Sequence, residues 1–189
     1  MGADGKMPGM TSTRAIRADR AQALGRYWRQ RRVNFIAKPG ACELVVVLDH
    51  LKPNFNVAKI FRSAQAFGAR ELHLIDIGPF DPAPTKGALK HVPARFLDDI
   101  SESMALLLGE GYQLFALVPD LGAPLHQCRL PRRSAFIVGH EEFGLSFDPR
   151  AHPDIMPVHI PLPGPTQSLN VSVAASLAMY EYTRQHGIG

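Results

Sequence analysis

Apolar positions recur along the chain with two periods, and the two alternate. From Thr13 to Arg32 the apolar residues Ile16, Ala23, Leu24, Tyr27 and Trp28 fall on one helical stripe with arginines on the other faces, which predicts a basic helix docked on a domain. Leu44 to Leu48 is a short β-branched apolar run of the kind buried on both faces of a sheet, and Val57 to Phe67 reads as a helix stopped by Gly68. Glu71 to Asp76 reads as a second strand, and Asp98 to Leu108 as a helix through Ile100, Met104, Leu107 and Leu108 that ends at Gly109. Three more strands are expected at Tyr112 to Val118, Ala135 to Val138 and Ile155 to Ile160. A closing helix runs through Val171, Ala174, Ala175, Ala178 and Met179 to about Gln185, with Ser168 as its cap. Strand and helix in repeated alternation predict an α/β domain, a parallel sheet with helices on both faces.

Three stretches break this pattern. Residues 1 to 12 lack periodicity and are expected to be disordered, followed by a basic helical extension over residues 13 to 40 and the main domain over 41 to 189. Residues 78 to 95 and 161 to 167 are proline-rich connections, and loops so constrained tend to carry function.

Charge adds a partner to this picture. The formal net charge is +4, but residues 1 to 32 hold eight basic side chains against Asp4 and Asp19, so the excess lies wholly in the N-terminal arm. Arginine outnumbers lysine there seven to one, and the guanidinium fork suits phosphate and base stacking. A polyanion is the expected partner, through Arg26, Arg29, Arg31 and Arg32. Cys42 and Cys128 stand far apart without a zinc or disulfide pattern, and no apolar run approaches the ~20 residues that span a bilayer. A cytoplasmic protein without membrane contact is expected.

Several chemistries are disfavoured by what the strand-to-helix junctions lack. The first reads DHLKPNFNVAKIFRSAQAFGA, with no glycine before Gly68, so an ordinary dinucleotide site is disfavoured. Neither a phosphate loop of the Walker type nor a nucleophile elbow is present. His140 and Glu141 have no further partners at ligand spacing, so no metal is expected.

Three polar clusters remain. Asn56, taken as a helix cap, is followed by Lys59 and Arg62 near an N-terminus that favours anions. Val138-Gly139-His140-Glu141-Glu142-Phe143-Gly144-Leu145-Ser146 follows a strand, its glycines letting backbone approach a ligand. Ile160-Pro161-Leu162 leads by a rigid loop to Ser168-Leu169-Asn170-Val171-Ser172, where a wall of backbone amides and carbonyls can form.

Order and spacing of these clusters closely resemble the three motifs of the SpoU branch of the SPOUT RNA methyltransferases, over residues 44 to 182. The resemblance implies an α/β fold with a C-terminal deep trefoil knot, an exception to the rule against knots. It implies S-adenosylmethionine as cofactor, a homodimer, and transfer of methyl to the 2′-hydroxyl of RNA. By the same resemblance Arg62 is the catalytic arginine and Asn56 its companion, while Glu141, Ser168 and Asn170 order the reacting centre. Val138, Gly139, Gly144, Ile160, Leu162, Ser168 and Leu169 contact the cofactor, and Lys86 and Lys90 belong to a mobile substrate loop. Short extensions and the Gln167–Ser172 string favour transfer RNA over ribosomal RNA. A base methyltransferase of another SPOUT branch, a non-catalytic RNA-binding protein and an unrelated α/β metabolic enzyme are the competing readings.

Overall fold

A computed structural model describes residues 13 to 187; the disorder expected for residues 1 to 12, and the side chain of Ile16, lie outside the described residues. The chain runs α1 (Thr13–Asn34), β1 (Leu44–Asp49), α2 (Phe55–Ala66), β2 (Glu71–Ile75), β3 (Ala94–Leu97), α3 (Ile100–Gly109), β4 (Gln113–Leu117), β5 (Ala123–Pro124), β6 (Ser134–Val138), β7 (Ile155–His159) and α4 (Val171–His186). Among the described residues the seven strands form one sheet in the order β3-β2-β1-β6-β4-β7-β5, and every pairing is parallel.

The all-apolar run in β1 is explained by its central place. Leu44, Val46 and Leu48 face a core shared with Tyr27 of α1, Phe61 of α2 and Met179 of α4, whereas Val45 and Val47 face Met104 and Leu107 of α3. Alternate side chains enter opposite cores, so neither face can be polar.

Two expected helix caps shift by two residues. Asn54, not Asn56, caps α2, its side-chain oxygen accepting from the Asn56 amide, and Asn170, not Ser168, caps α4 by accepting from the Ser172 amide. The shift frees the Asn56 side chain for a tertiary partner and leaves Ser168 in the preceding loop. The 78 to 95 connection is more regular than expected, with single 3-10 turns at Ala83–Thr85 and Ala88–Lys90 before β3. Three half-buried residues and the exposed Arg95 give β3 too little alternation to betray it, and the two-residue β5 gives none.

The basic helix docks through its C-terminal part. Tyr27 is fully buried against Phe80, and Asn34 donates to the carbonyls of Leu89 and Val92 while accepting from the Ala94 amide. Leu24 and Trp28, expected on the buried stripe, stay 38% and 47% exposed, and among the described residues of that stripe it is Tyr27 that enters the core. Among the described residues no helix is long and apolar enough to cross a membrane.

Candidate active site

The carboxyl ends of β4, β6 and β7 open into a cavity of about 730 Å³. Its wall comes from the loops after these strands, as expected for a ligand crevice in a parallel sheet. Val138, Gly139, Gly144, Ile160, Leu162, Ser168 and Leu169 all line it, as do Glu141 and Asn170. Leu117 to Asp120, which the sequence did not single out, complete one side.

The loop after β6 is a tight turn. His140 and Gly144 exchange both backbone hydrogen bonds, at 2.7 and 2.9 Å, and Gly144 takes the left-handed conformation at φ 72°. A Cβ on Gly139 would lie 2.3 Å from the Gly144 carbonyl carbon, so the turn closes only around a glycine. His140 Nδ1 accepts from the amides of Glu142 and Phe143, which puts the ring proton on Nε2.

Side chains from distant parts of the chain then lock this turn to the sheet. The fully buried Asp49, last residue of β1, accepts from the Ser146 amide at 2.7 Å and the Ser146 hydroxyl at 2.9 Å. The Lys52 amide donates to Glu141, and the Lys52 ammonium pairs with Glu142 at 2.8 Å. Ser146 closes the second polar cluster, but no sequence motif marks Asp49 or Lys52; the one signal is an acid closing an otherwise apolar strand.

A hydrogen-bonded run joins the three polar clusters. Asn56 Nδ2 donates to Glu141 at 2.8 Å, Asn170 Nδ2 donates to Asn56 Oδ1 at 3.0 Å, and Asn170 Oδ1 accepts from both the amide and the hydroxyl of Ser172. Partial burial pushes the Glu141 pKa up, but the hydrogen bonds from Asn56, from its own turn and from the Lys52 amide outweigh it and hold the carboxyl below its ordinary value. Glu142 is lowered too, chiefly by its hydrogen bond and charge pairing with Lys52.

Other expected site residues lie apart from the cavity. Arg62 is exposed on α2, six residues beyond Asn56, and does not line it. Of the expected RNA contacts, Arg29, Arg32 and Lys86 are exposed and Lys90 is half-buried. Arg26 instead pairs with Asp81 at 3.3 Å, and the Arg31 guanidinium sits 3.9 Å from the Phe96 ring centre. Both are held by the fold because α1 lies along the 78 to 95 segment and β3.

The cavity wall suits a cationic, nucleoside-like ligand. It carries Asp120, Glu141 and Glu142, no lysine or arginine, and apolar surface from Leu117, Ile160, Leu162 and Leu169. His159, also in the wall, has a buried Nδ1 with no partner within the described chain. Volumes of this size hold ligands of cofactor size.

Comparison with known proteins gives this site a family. The model of the SpoU rRNA Methylase family matches residues 43 to 180. An uncharacterised tRNA/rRNA methyltransferase of Synechocystis is 32% identical over 76% of this chain, which spans only 38% of that longer protein. The tRNA (guanosine(18)-2′-O)-methyltransferase of Thermus thermophilus is 29% identical over 83% of this chain and 82% of its own. The SpoU methyltransferase AviRb of Streptomyces viridochromogenes, solved with AdoMet, superposes with a TM-score of 0.69 at 26% identity, covering 82% of this chain and 61% of that one. The likeness spans the parallel sheet and α4, so the fold is the knotted α/β fold that the motifs imply. With most of its length matched and its three polar clusters bonded into one site, the chain belongs to the SpoU rRNA Methylase family.

Proposed function

We propose that this protein transfers a methyl group from S-adenosylmethionine to a ribose 2′-hydroxyl of RNA. The observation that carries the reading is the run Glu141–Asn56–Asn170–Ser172, which ties all three clusters together at the wall of one cavity whose described lining has no lysine or arginine. Gly139, Ile160 and Leu169 would hold the donor by backbone contacts, with Val138, Gly144, Leu162 and Ser168 shaping its cleft. Asp120 and Glu141 give that cleft the negative potential a sulfonium needs, the Glu142 charge being matched by Lys52. When bound, the donor supplies an electrophilic methyl on a leaving group that departs as a neutral thioether.

The protein's share is positioning and charge stabilisation. Glu141 orients Asn56, Asn56 orients Asn170, and Asn170 fixes the first turn of α4 beneath the reacting centre. Arg62 grips an RNA phosphate and steadies the oxyanion as it forms. A guanidinium keeps its proton at neutral pH, so the hydroxyl proton leaves to water or a phosphate oxygen.

Arg62 stands outside the cavity of its own chain, which supports a homodimer in which each copy completes the other's site. Val173, Leu177 and Tyr180 form an exposed apolar row at helical spacing on α4 that a second copy would cover. Transfer RNA is the proposed substrate, supported by the near-full-length match to the Thermus enzyme; ribosomal RNA is the second reading, favoured by the family description.

Labelled S-adenosylmethionine, incubated with unmodified transfer and ribosomal RNA transcripts and followed by nuclease digestion and mass analysis, tests this reading. A 2′-O-methylnucleoside is expected. A base-methylated nucleoside would move the protein to another SPOUT branch, and RNA binding without transfer would leave it a non-catalytic binder.

A further inference from the structure

Phe143 is held at the rim of the site with 82% of its surface in water. It occupies the tip of the 140 to 144 turn, whose other members His140, Glu141, Glu142 and Gly144 all line the cavity. Those neighbours are tied down: His140 Nδ1 accepts two backbone amides, Glu141 is bonded by Asn56 and Lys52, and Glu142 is paired with Lys52. The Phe143 amide joins this network through His140, but the side chain has no polar atom to do so and does not line the cavity. Its ring stacks on the His140 ring, with centroids 4.8 Å apart and 24° between planes, so one face is backed and the other is free.

An aromatic ring backed on one face and exposed beside a reaction cleft adds little to packing. We propose that the free face of Phe143 stacks on the base of the target nucleotide and so sets the ribose over the donor. The inference rests on the methyltransferase reading and deepens it. Glu141, two residues before the ring, is held by neutral donors and keeps its negative charge, which disfavours a phosphate there more than the neutral face of a base. The backing imidazole costs the ring its freedom before RNA arrives, which leaves less ordering to be met on binding. Every base has a π face, so such a platform grips the nucleotide without reading its identity.

Wild type, Phe143→Ala, Phe143→Leu and Phe143→Tyr would be assayed with unmodified transfer and ribosomal RNA transcripts. Cofactor affinity would be measured by calorimetry and oligomeric state by sedimentation. The alanine and leucine variants are expected to raise KM for RNA about 10-fold, and tyrosine to stay within about twofold of wild type. Cofactor affinity and oligomeric state should not move. Leucine performing as well as phenylalanine, or alanine leaving KM unchanged, would overturn the proposal. A change in oligomeric state would assign the ring to a second copy, and a loss of cofactor affinity would assign it to the donor's cleft; either overturns it. Absence of turnover in wild type would instead overturn the functional reading itself, a result visible without any variant.

Discussion

Asn170 donates its side-chain amide to the side-chain oxygen of Asn56 at 3.0 Å, across 114 positions of the chain. The polarity of this contact is forced from both ends. Glu141, ionised, can only accept from Asn56, so Asn56 must turn its oxygen toward Asn170; the Ser172 amide can only donate, so Asn170 must turn its own oxygen toward α4. Two amides that could each point either way are thus fixed by a carboxylate and a helix start.

Asn170 has two tasks that substitution can separate. Asn170→Ala removes the α4 cap and the contact to Asn56, whereas Asn170→Ser keeps a hydroxyl able to cap but too short to bridge. Alanine should lower stability by about 1 kcal/mol and serine by only a few tenths. Both should lose methyl transfer by roughly tenfold or more if a well-placed hydrogen bond of this kind orders the centre. Denaturant unfolding beside initial rates checks the split; a serine variant with wild-type rates would leave the bridge without a role in turnover.

Gly139 and Gly164 both line the cavity, yet they should respond differently to alanine. A Cβ on Gly139 meets backbone of Gly144 and Leu145 at 2.3 to 2.5 Å, and neither can move without opening the turn that holds Glu141. A Cβ on Gly164 meets nothing within 4 Å. Gly139→Ala should therefore cost about 1 to 3 kcal/mol in cofactor affinity, or about fivefold to more than a hundredfold, measured by calorimetry. Gly164→Ala should bind as wild type does.

The sequence displays the elements where local pattern and tertiary demand agree. Leu44 to Asp49 is apolar throughout because both its faces are covered, and that alone marks a central parallel strand. The helix starts show the opposite case. Asn54 and Asn56, like Ser168 and Asn170, are all competent caps, and the choice within each pair is made by Glu141 and Asn56, partners remote in sequence. The anchors of the turn were hidden for the same reason: Asp49 meets Ser146 across 97 residues and Lys52 meets Glu141 across 89. Motif spacing brought the three clusters forward, but the joints between them exist only in the fold.

Two tyrosines predict behaviour at high pH. Burial, then the charge of Glu43, pushes Tyr112 up to about 12, and burial with Cys42 nearby pushes Tyr182 to about 12. Each hydroxyl also donates a hydrogen bond, to Glu43 and to the Arg132 carbonyl. A phenol whose folded pKa exceeds its ordinary value of 10.0 adds stability that is whole below that pH and lost as pH rises toward about 12. Tyrosinate absorbance should show these two groups ionising only near about 12, together with the onset of unfolding. Replacing both by phenylalanine should flatten the alkaline loss of stability, followed by denaturant midpoints against pH.

The arginines of α1 divide between folding and binding, and the two uses have different signatures. Arg31 lies over Phe96 at 3.9 Å and within 5.4 Å of the Trp28 ring centre, so its charge is spent on fastening the helix to β3. Arg31→Met keeps the stem but loses the cation, and should cost about 0.5 to 2 kcal/mol of stability. Arg29 and Arg32 are exposed, so alanine at either should change stability by less than about 0.5 kcal/mol. If they meet phosphates, each replacement should instead reduce the slope of log affinity against log salt by about 0.7 to 0.9, because one counterion fewer is released. Fluorescence anisotropy with labelled transfer RNA over a salt series, beside denaturant unfolding, separates the classes. A slope lowered by Arg31→Met but unmoved by Arg29→Ala and Arg32→Ala would reverse the division, since it would put the phosphate contact on the half-buried Arg31 and not on the exposed pair.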